Sequence, residues 1–370
     1  MTPPVGRGRA RDLGFPVGHL PTGPLNAITD VAGVRVGHAT VWRDGDVTAR
    51  TGATAIWPHE GNPFRDRVYA ATSVFNGYGI LTGDIVMQEW GLIGAPIILC
   101  DTANLGVAYQ ASVRYMSDLD EVVGTDDVLM PVVAECDDGF LNDNRAITLT
   151  EPDVRSALDA AGTGPVPEGV VGAGTGTQMF DFKGGIGTAS RVIEIGSRTY
   201  TIGVLLNTNY GTRQQLQIAG HPLGRRLVEN MPVHHKEGSC IAVVATDLPL
   251  HPNQLRRLAR RVDIGLGRTG SVGNDGSGEI FLAFSTAHRI PREAPDGLLP
   301  IEVLVEGQFW TQGSPFDLIF DAVAEASEEA ALNALCQADT VQGRDGHVLS
   351  GFPIEQALTL MKRAVDSGKR

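Results

Sequence analysis

The residues with the strongest chemical potential lie where a polar loop meets an apolar strand. From Pro222 to Gly238 the chain is polar and rich in helix and strand breakers; it then passes directly into Ser239-Cys240-Ile241-Ala242-Val243-Val244-Ala245. A serine opening a buried strand behind a glycine fits autoproteolysis. Its hydroxyl could attack the Gly238 carbonyl, move the acyl group from nitrogen to oxygen, and release it by hydrolysis. Glycine suits the position before the scissile bond because it carries no Cβ to obstruct attack and tolerates strain. Cleavage would free the α-amino group of Ser239, whose unperturbed pKa of roughly 7.7–8.0 makes it a base near neutral pH. A hydroxyl and an amine on one residue form a compact nucleophile–base pair. The same dipeptide also fits an ordinary loop-to-strand junction.

Three other segments carry suitable groups. Gly270 to Glu279 is glycine-dense and leads into the strand Ile280 to Phe284. Ser277 and Glu279, two apart in extended backbone, point to one side and could hold and polarise a nucleophile; they could equally cap a turn. Leu206 to Gly211 ends another strand with two amides, Asn207 and Asn209, on one face, and an asparagine NH2 is a suitable oxyanion donor. Glu135-Cys136-Asp137-Asp138 crowds three carboxylates after a third strand, which suits a cationic substrate group or a solvated turn. The sequence has no phosphate-binding loop, no H-E-x-x-H and no G-x-S-x-G. Gly172 to Gly176 reads as a close-approach turn, since Thr177 stands where a dinucleotide fingerprint needs glycine. Of the nine histidines only His234 and His235 are adjacent, and neighbours in sequence do not converge on one metal, so no metal is expected.

The elements that must position these groups alternate between β-rich and amphipathic runs. Val132–Ala134, Thr201–Leu206, Cys240–Ala245 and Ile280–Phe284 read as strands covered on both faces. Pro252 opens a helix with Leu255, Leu258, Ala259 and Val262 on one face and Arg256, Arg257, Arg260 and Arg261 on a solvated one. Ser314-Pro315 and Pro353 start two more, and Asn76–Trp90 and Asp101–Met116 are further helices. The order is mixed, which predicts an α+β fold of two stacked sheets with helices on both outer faces. Among 370 residues, 46 are glycine, about 12% against a usual share of roughly 7%. A net charge of −13 repels phosphate backbones and argues against nucleic acid as a partner. Four scattered cysteines without a C-x-x-C pair suit a reducing compartment. The longest apolar run, Ile93 to Cys100, is far too short to span a membrane, and the arginines near the start lack a following apolar stretch. A cytoplasmic protein is expected.

In order and spacing, these blocks resemble the self-processing L-aminopeptidase/D-amidase-esterase family, which includes the β-aminopeptidases. Asn26 to His38 is similar to the family's opening. The likeness continues through Leu141-Asn142-Asp143, Gly172 to Arg191 with its Phe182-Lys183-Gly184-Gly185-Ile186-Gly187, Asn209-Tyr210-Gly211, Gly238-Ser239 and Arg268 to His288. The resemblance implies a single domain over residues 1–370, cut by itself into 1–238 and 239–370. It also implies a four-layer α-β-β-α sandwich like that of N-terminal nucleophile hydrolases but differently connected, a homotetramer of processed heterodimers, and no cofactor. Residue by residue, Ser239 matches the nucleophile, Ser277 and Glu279 its polar partners, and Asn209 the oxyanion-side amide. Glu135 matches the carboxylate that holds the free ammonium of a peptide, amide or ester substrate. Asp137 stands where many members carry an aromatic residue, and Cys240 after the nucleophile is unusual. The expected activity is that of a serine aminopeptidase or amidase. The alternatives are an acyltransferase similar to ornithine acetyltransferases, which use threonine as nucleophile, and an unprocessed binding protein.

Overall fold

The computed structural model describes residues 6–232, 238–294, 296–307 and 313–368; the paired histidines 234 and 235 lie outside them. Three strands open the fold: β1 (Arg35–Arg43), β2 (Ala49–Trp57) and β3 (Asp66–Val74). Helix α1 (Asp84–Trp90) and the two short strands β4 (Leu92–Ile93) and β5 (Ile97–Cys100) follow. Then come α2 (Leu105–Leu119), β6 (Val132–Glu135), α3 (Glu151–Asp159) and a tight hairpin of β7 (Gln178–Met179) and β8 (Phe182–Lys183). Long strands β9 (Ile186–Ile195) and β10 (Arg198–Asn209) precede β11 (Ser239–Thr246). Helices α4 (Pro252–Ala259) and α5 (Val262–Arg268), strand β12 (Gly278–Pro291) and helices α6 (Pro315–Gln337) and α7 (Ile354–Gly368) complete it.

The strands form a four-stranded sheet, β1-β2-β5-β6, and a six-stranded sheet, β4-β3-β12-β11-β10-β9. Alternate residues of β11 explain the stacking. Ile241, Val243 and Ala245 face the first sheet in a core that includes Ile56, Ile98 and Val133, while Cys240, Ala242 and Val244 face Leu255, Leu266 and Val323 of the helices. Helices α2 and α3 cover the outer face of the smaller sheet through Ala108, Ala111, Val154 and Ala157. The result is the expected four layers. Both faces of β11 are occupied, and for that reason its sequence reads as an unbroken apolar run.

Three local readings change. The arginine face of α4 is not simply solvated: the Arg257 guanidinium stacks over Phe316 and Phe320, and Arg261 lies 3.9 Å from the Phe320 ring centre. The helix expected from Asn76 starts only at Asp84, because Gly77, Gly79 and Gly83 make the preceding segment a loop and Gly83 takes φ +78°. The helix expected from Asp101 begins at Leu105. Ser314 caps α6 as anticipated, its hydroxyl accepting from the Phe316 N–H at 3.3 Å.

Candidate active site

Strand pairing brings the chemical groups together at one end of the larger sheet. Ser239, the first residue of β11, pairs with Asn209 on the antiparallel β10 and with Gly278 on the parallel β12. Ser277 and Glu279 therefore flank the residue beside the serine, and the Ser277 hydroxyl donates to Glu279 Oε1 at 2.5 Å. All three side chains are buried, and neither Ser239 Oγ nor Glu279 Oε2 has a hydrogen-bond partner. Burial pushes the Glu279 carboxyl up, opposed by the Ser277 hydroxyl. The register also sets Glu279 across from Cys240, not Ser239. Paired residues share a face of the sheet, so this carboxylate lies on the helix side while Ser239 points between the sheets.

Asn207 and Asn209 occupy the same face as Ser239 but differ in their bonding. Asn209 lies directly opposite the serine, and its side-chain carbonyl accepts the Gln178 N–H at 3.0 Å. Asn207, opposite Ile241, is fully buried with neither side-chain oxygen nor nitrogen hydrogen-bonded. A buried amide with two open positions is costly unless something fills them. The Cys136 thiol donates to the Asn207 carbonyl at 3.5 Å and also faces Ser239. Burial raises the thiol far above its ordinary value, so Cys136 is an inert wall.

Glu135, the last residue of β6, reaches the same place from the other sheet. Its Oε1 accepts the Ile80 N–H at 2.9 Å and its Oε2 the Thr102 hydroxyl. The loop from Phe75 to Gly83 crosses the gap: a Cβ on Gly79 would lie 3.4 Å from Glu135 Oε1 and 3.5 Å from the Gly278 Cα. Phe75, Tyr78, Ile80 and, beyond them, Val272 leave an exposed apolar rim. Burial pushes the Glu135 carboxyl up, partly offset by the Thr102 hydroxyl. Asp137 instead turns into its own loop, where its Oδ1 accepts the Gly139 N–H at 3.0 Å and the Asn144 amide at 2.6 Å. Among the described residues no group of three or more His, Cys, Asp or Glu side chains is placed to hold a metal ion.

Lys183, inside the Phe182–Gly187 block, also supports this site, a role that its place in the motif does not reveal. Its fully buried ammonium donates to the carbonyls of Gly174, Thr177 and Gly184 at 2.7–2.9 Å. It thereby knits the glycine-rich turn to the hairpin that holds Asn209 through Gln178. Desolvation lowers the ammonium to about 7, against a raising influence of buried Asp138.

Two stacked sheets between helical layers, with a serine at the start of a central strand, define the fold of an N-terminal nucleophile hydrolase. The comparisons agree: the chain superposes on the L-aminopeptidase D-Ala-esterase/amidase of Ochrobactrum anthropi, described as a variant of that fold, with a TM-score of 0.89 and 42% identity over 96% of this chain and 98% of that one. The chain belongs to peptidase family S58, whose model matches residues 26–349. It is 38% identical to the beta-peptidyl aminopeptidase BapA of Sphingosinicella microcystinivorans over 96% of its own length and 92% of the relative's. A beta-aminopeptidase of a Burkholderia species matches with a TM-score of 0.88 and 39% identity, over 96% and 99% of the two chains. This protein is a hydrolase, a serine aminopeptidase/amidase.

Proposed function

We propose that the chain activates itself by cutting the Gly238–Ser239 bond, leaving segments 1–238 and 239–370, and that the freed Ser239 then releases N-terminal residues from peptides, amides or esters with a free amine. The observation that carries this reading is the register, which sets Ser239 at a strand end between Asn209 and Gly278 with its Oγ buried and unbonded. In hydrolysis, Ser239 Oγ attacks the substrate carbonyl while its own amine takes the proton. Ser277, the residue before β12, positions that pair, and Glu279 acts on it through the Ser277 hydroxyl that it holds. Asn207, buried with its NH2 unpartnered, is the oxyanion donor of this reading; Asn209, held at its Oδ1 by the Gln178 N–H, is the anchor opposite the nucleophile. Water then hydrolyses the ester.

Glu135 supplies a buried negative charge for the substrate ammonium, which makes the enzyme an exopeptidase. Relatives named as beta-peptidyl aminopeptidase and as L-aminopeptidase D-Ala-esterase/amidase support a small substrate with an N-terminal α- or β-amino residue. Four unpaired, buried cysteines support a cytoplasmic location. No described helix is long and apolar enough to cross a membrane. Assembly as a homotetramer of cleaved heterodimers belongs to the same proposal. Denaturing mass spectrometry tests the central claim. The parent protein gives two pieces and Ser239→Ala one inactive chain of 370 residues; an active, uncut parent refutes it.

A further inference from the structure

The carbonyl oxygen of Gly238, the acceptor in the bond to be cut, is already held. The Gly278 N–H donates to it at 3.2 Å. Strand β11 lies between β10 and β12, and this carbonyl points toward β12. Asn207 stands on β10, on the opposite side of β11, and its amide binds nothing. Close packing fixes both glycines: a Cβ on Gly238 would fall 1.5 Å from the Asn209 carbonyl oxygen, and one on Gly278 would fall 2.3 Å from the Tyr78 carbonyl oxygen.

We propose that the serine's two reactions use two different oxyanion donors: self-cleavage depends on the Gly278 N–H, and the Asn207 amide serves substrate hydrolysis alone. The proposal rests on the reading of Ser239 as a self-released nucleophile. In the first reaction Ser239 Oγ loses its proton as it bonds to the Gly238 carbonyl carbon, and the C=O π pair moves onto the oxygen facing Gly278. The tetrahedral centre then collapses, the bond from Gly238 carbon to Ser239 nitrogen breaks, and the nitrogen takes up the proton to become an amine. Water adds to the resulting ester, leaving Gly238 as a carboxylic acid and returning a proton to Oγ. Negative charge grows on that oxygen only on the way to the tetrahedral state, so a donor already aimed at it accelerates the step. A substrate enters instead from between the sheets, where Ser239 Oγ, Asn207 and Glu135 face one another, and its carbonyl has no ladder position to occupy.

Two full-length chains test the division. Cell-free synthesis with glycolic acid at position 278 turns one amide into an ester, replacing that N–H by an oxygen while every side chain stays as it is. Self-cleavage, followed by denaturing mass spectrometry over time, slows about 10²–10³-fold; an unchanged rate overturns the proposal. Asn207→Ala splits at the parent's rate while peptide-amide hydrolysis falls about 10²–10³-fold; cleavage and hydrolysis falling together overturns it. Thermal melting checks both chains for folding, and if one is unfolded the other decides. Failure of the parent itself to split refutes the self-release reading, an outcome distinct from a parent that splits and an Asn207→Ala chain that does not.

Discussion

Glu135 and Gly238 bear their consequences one side chain at a time. Glu135 titrates above the ordinary carboxylate range because it is buried, and only its charged form attracts an ammonium. As pH falls through that raised value the charge is lost, so KM for amine substrates rises earlier than an exposed carboxylate near 4.3 would allow. Glu135→Gln raises KM about 10–100-fold, the worth of a charged hydrogen bond, with kcat less affected and the acid limb flattened; KM profiles against pH check both points. Gly238→Ala drives a Cβ into the Asn209 carbonyl, so denaturing electrophoresis shows uncut chain accumulating. At this scale the sequence shows two asparagines on one face, but not that Gln178 holds Asn209 and leaves Asn207 open. That distinction comes from a hairpin packing against a strand end 31 residues away. The three carboxylates from the end of β6 onward likewise look equivalent until folding buries Glu135 at the site and turns Asp137 into its own loop.

At the scale of elements, continuous apolar runs identified β6, β10, β11 and β12 because both of their faces are covered. Strands β1 to β3 were not legible in this way. β2 is buried throughout, yet it is built of Ala, Arg, Thr and Gly as well as Ile and Trp, and its identity comes from the pairing of Arg35–Arg43 with Ala49–Trp57. The turn from Gly172 was legible as a place of close approach, and a Cβ on Gly174 would indeed lie 2.4 Å from the Ile186 nitrogen. What no pattern showed is the ammonium that fastens it. Lys183→Met removes a charged donor from three buried carbonyls, of which only those of Gly174 and Thr177 keep another, the Thr177 hydroxyl and the Gly184 N–H, and costs about 3 kcal/mol, which denaturant melts read directly. It also releases Gln178 from beside Asn209, so kcat falls even in the fraction that folds.

Across the molecule, the two expected pieces are bound together by more than the sheet. The arm before β1 lies along α6, where Arg11 pairs with Glu329 at 2.8 Å, the Ala10 N–H donates to Asn333, and Glu325 accepts from the His19 and Leu20 N–H groups. Arg191 on β9, fully buried, bridges Glu325 and Glu329 at 2.9 and 2.8 Å. Arg191→Met takes away the one cation shared by two buried carboxylates, leaving Glu329 to Arg11 and Glu325 to the His19 and Leu20 N–H groups, and lowers stability by about 3 kcal/mol, visible as a lower melting temperature. None of this was legible in advance, because the partners lie more than 100 residues apart and no local period links them. The position of β11, between a strand made before it and one made after it, also imposes a timetable. A ribosome must translate beyond Glu279 before the scissile link can rest beside its catalytic neighbours. The proposed scission therefore cannot precede the synthesis and docking of β12, and it would serve as a receipt for that step of folding.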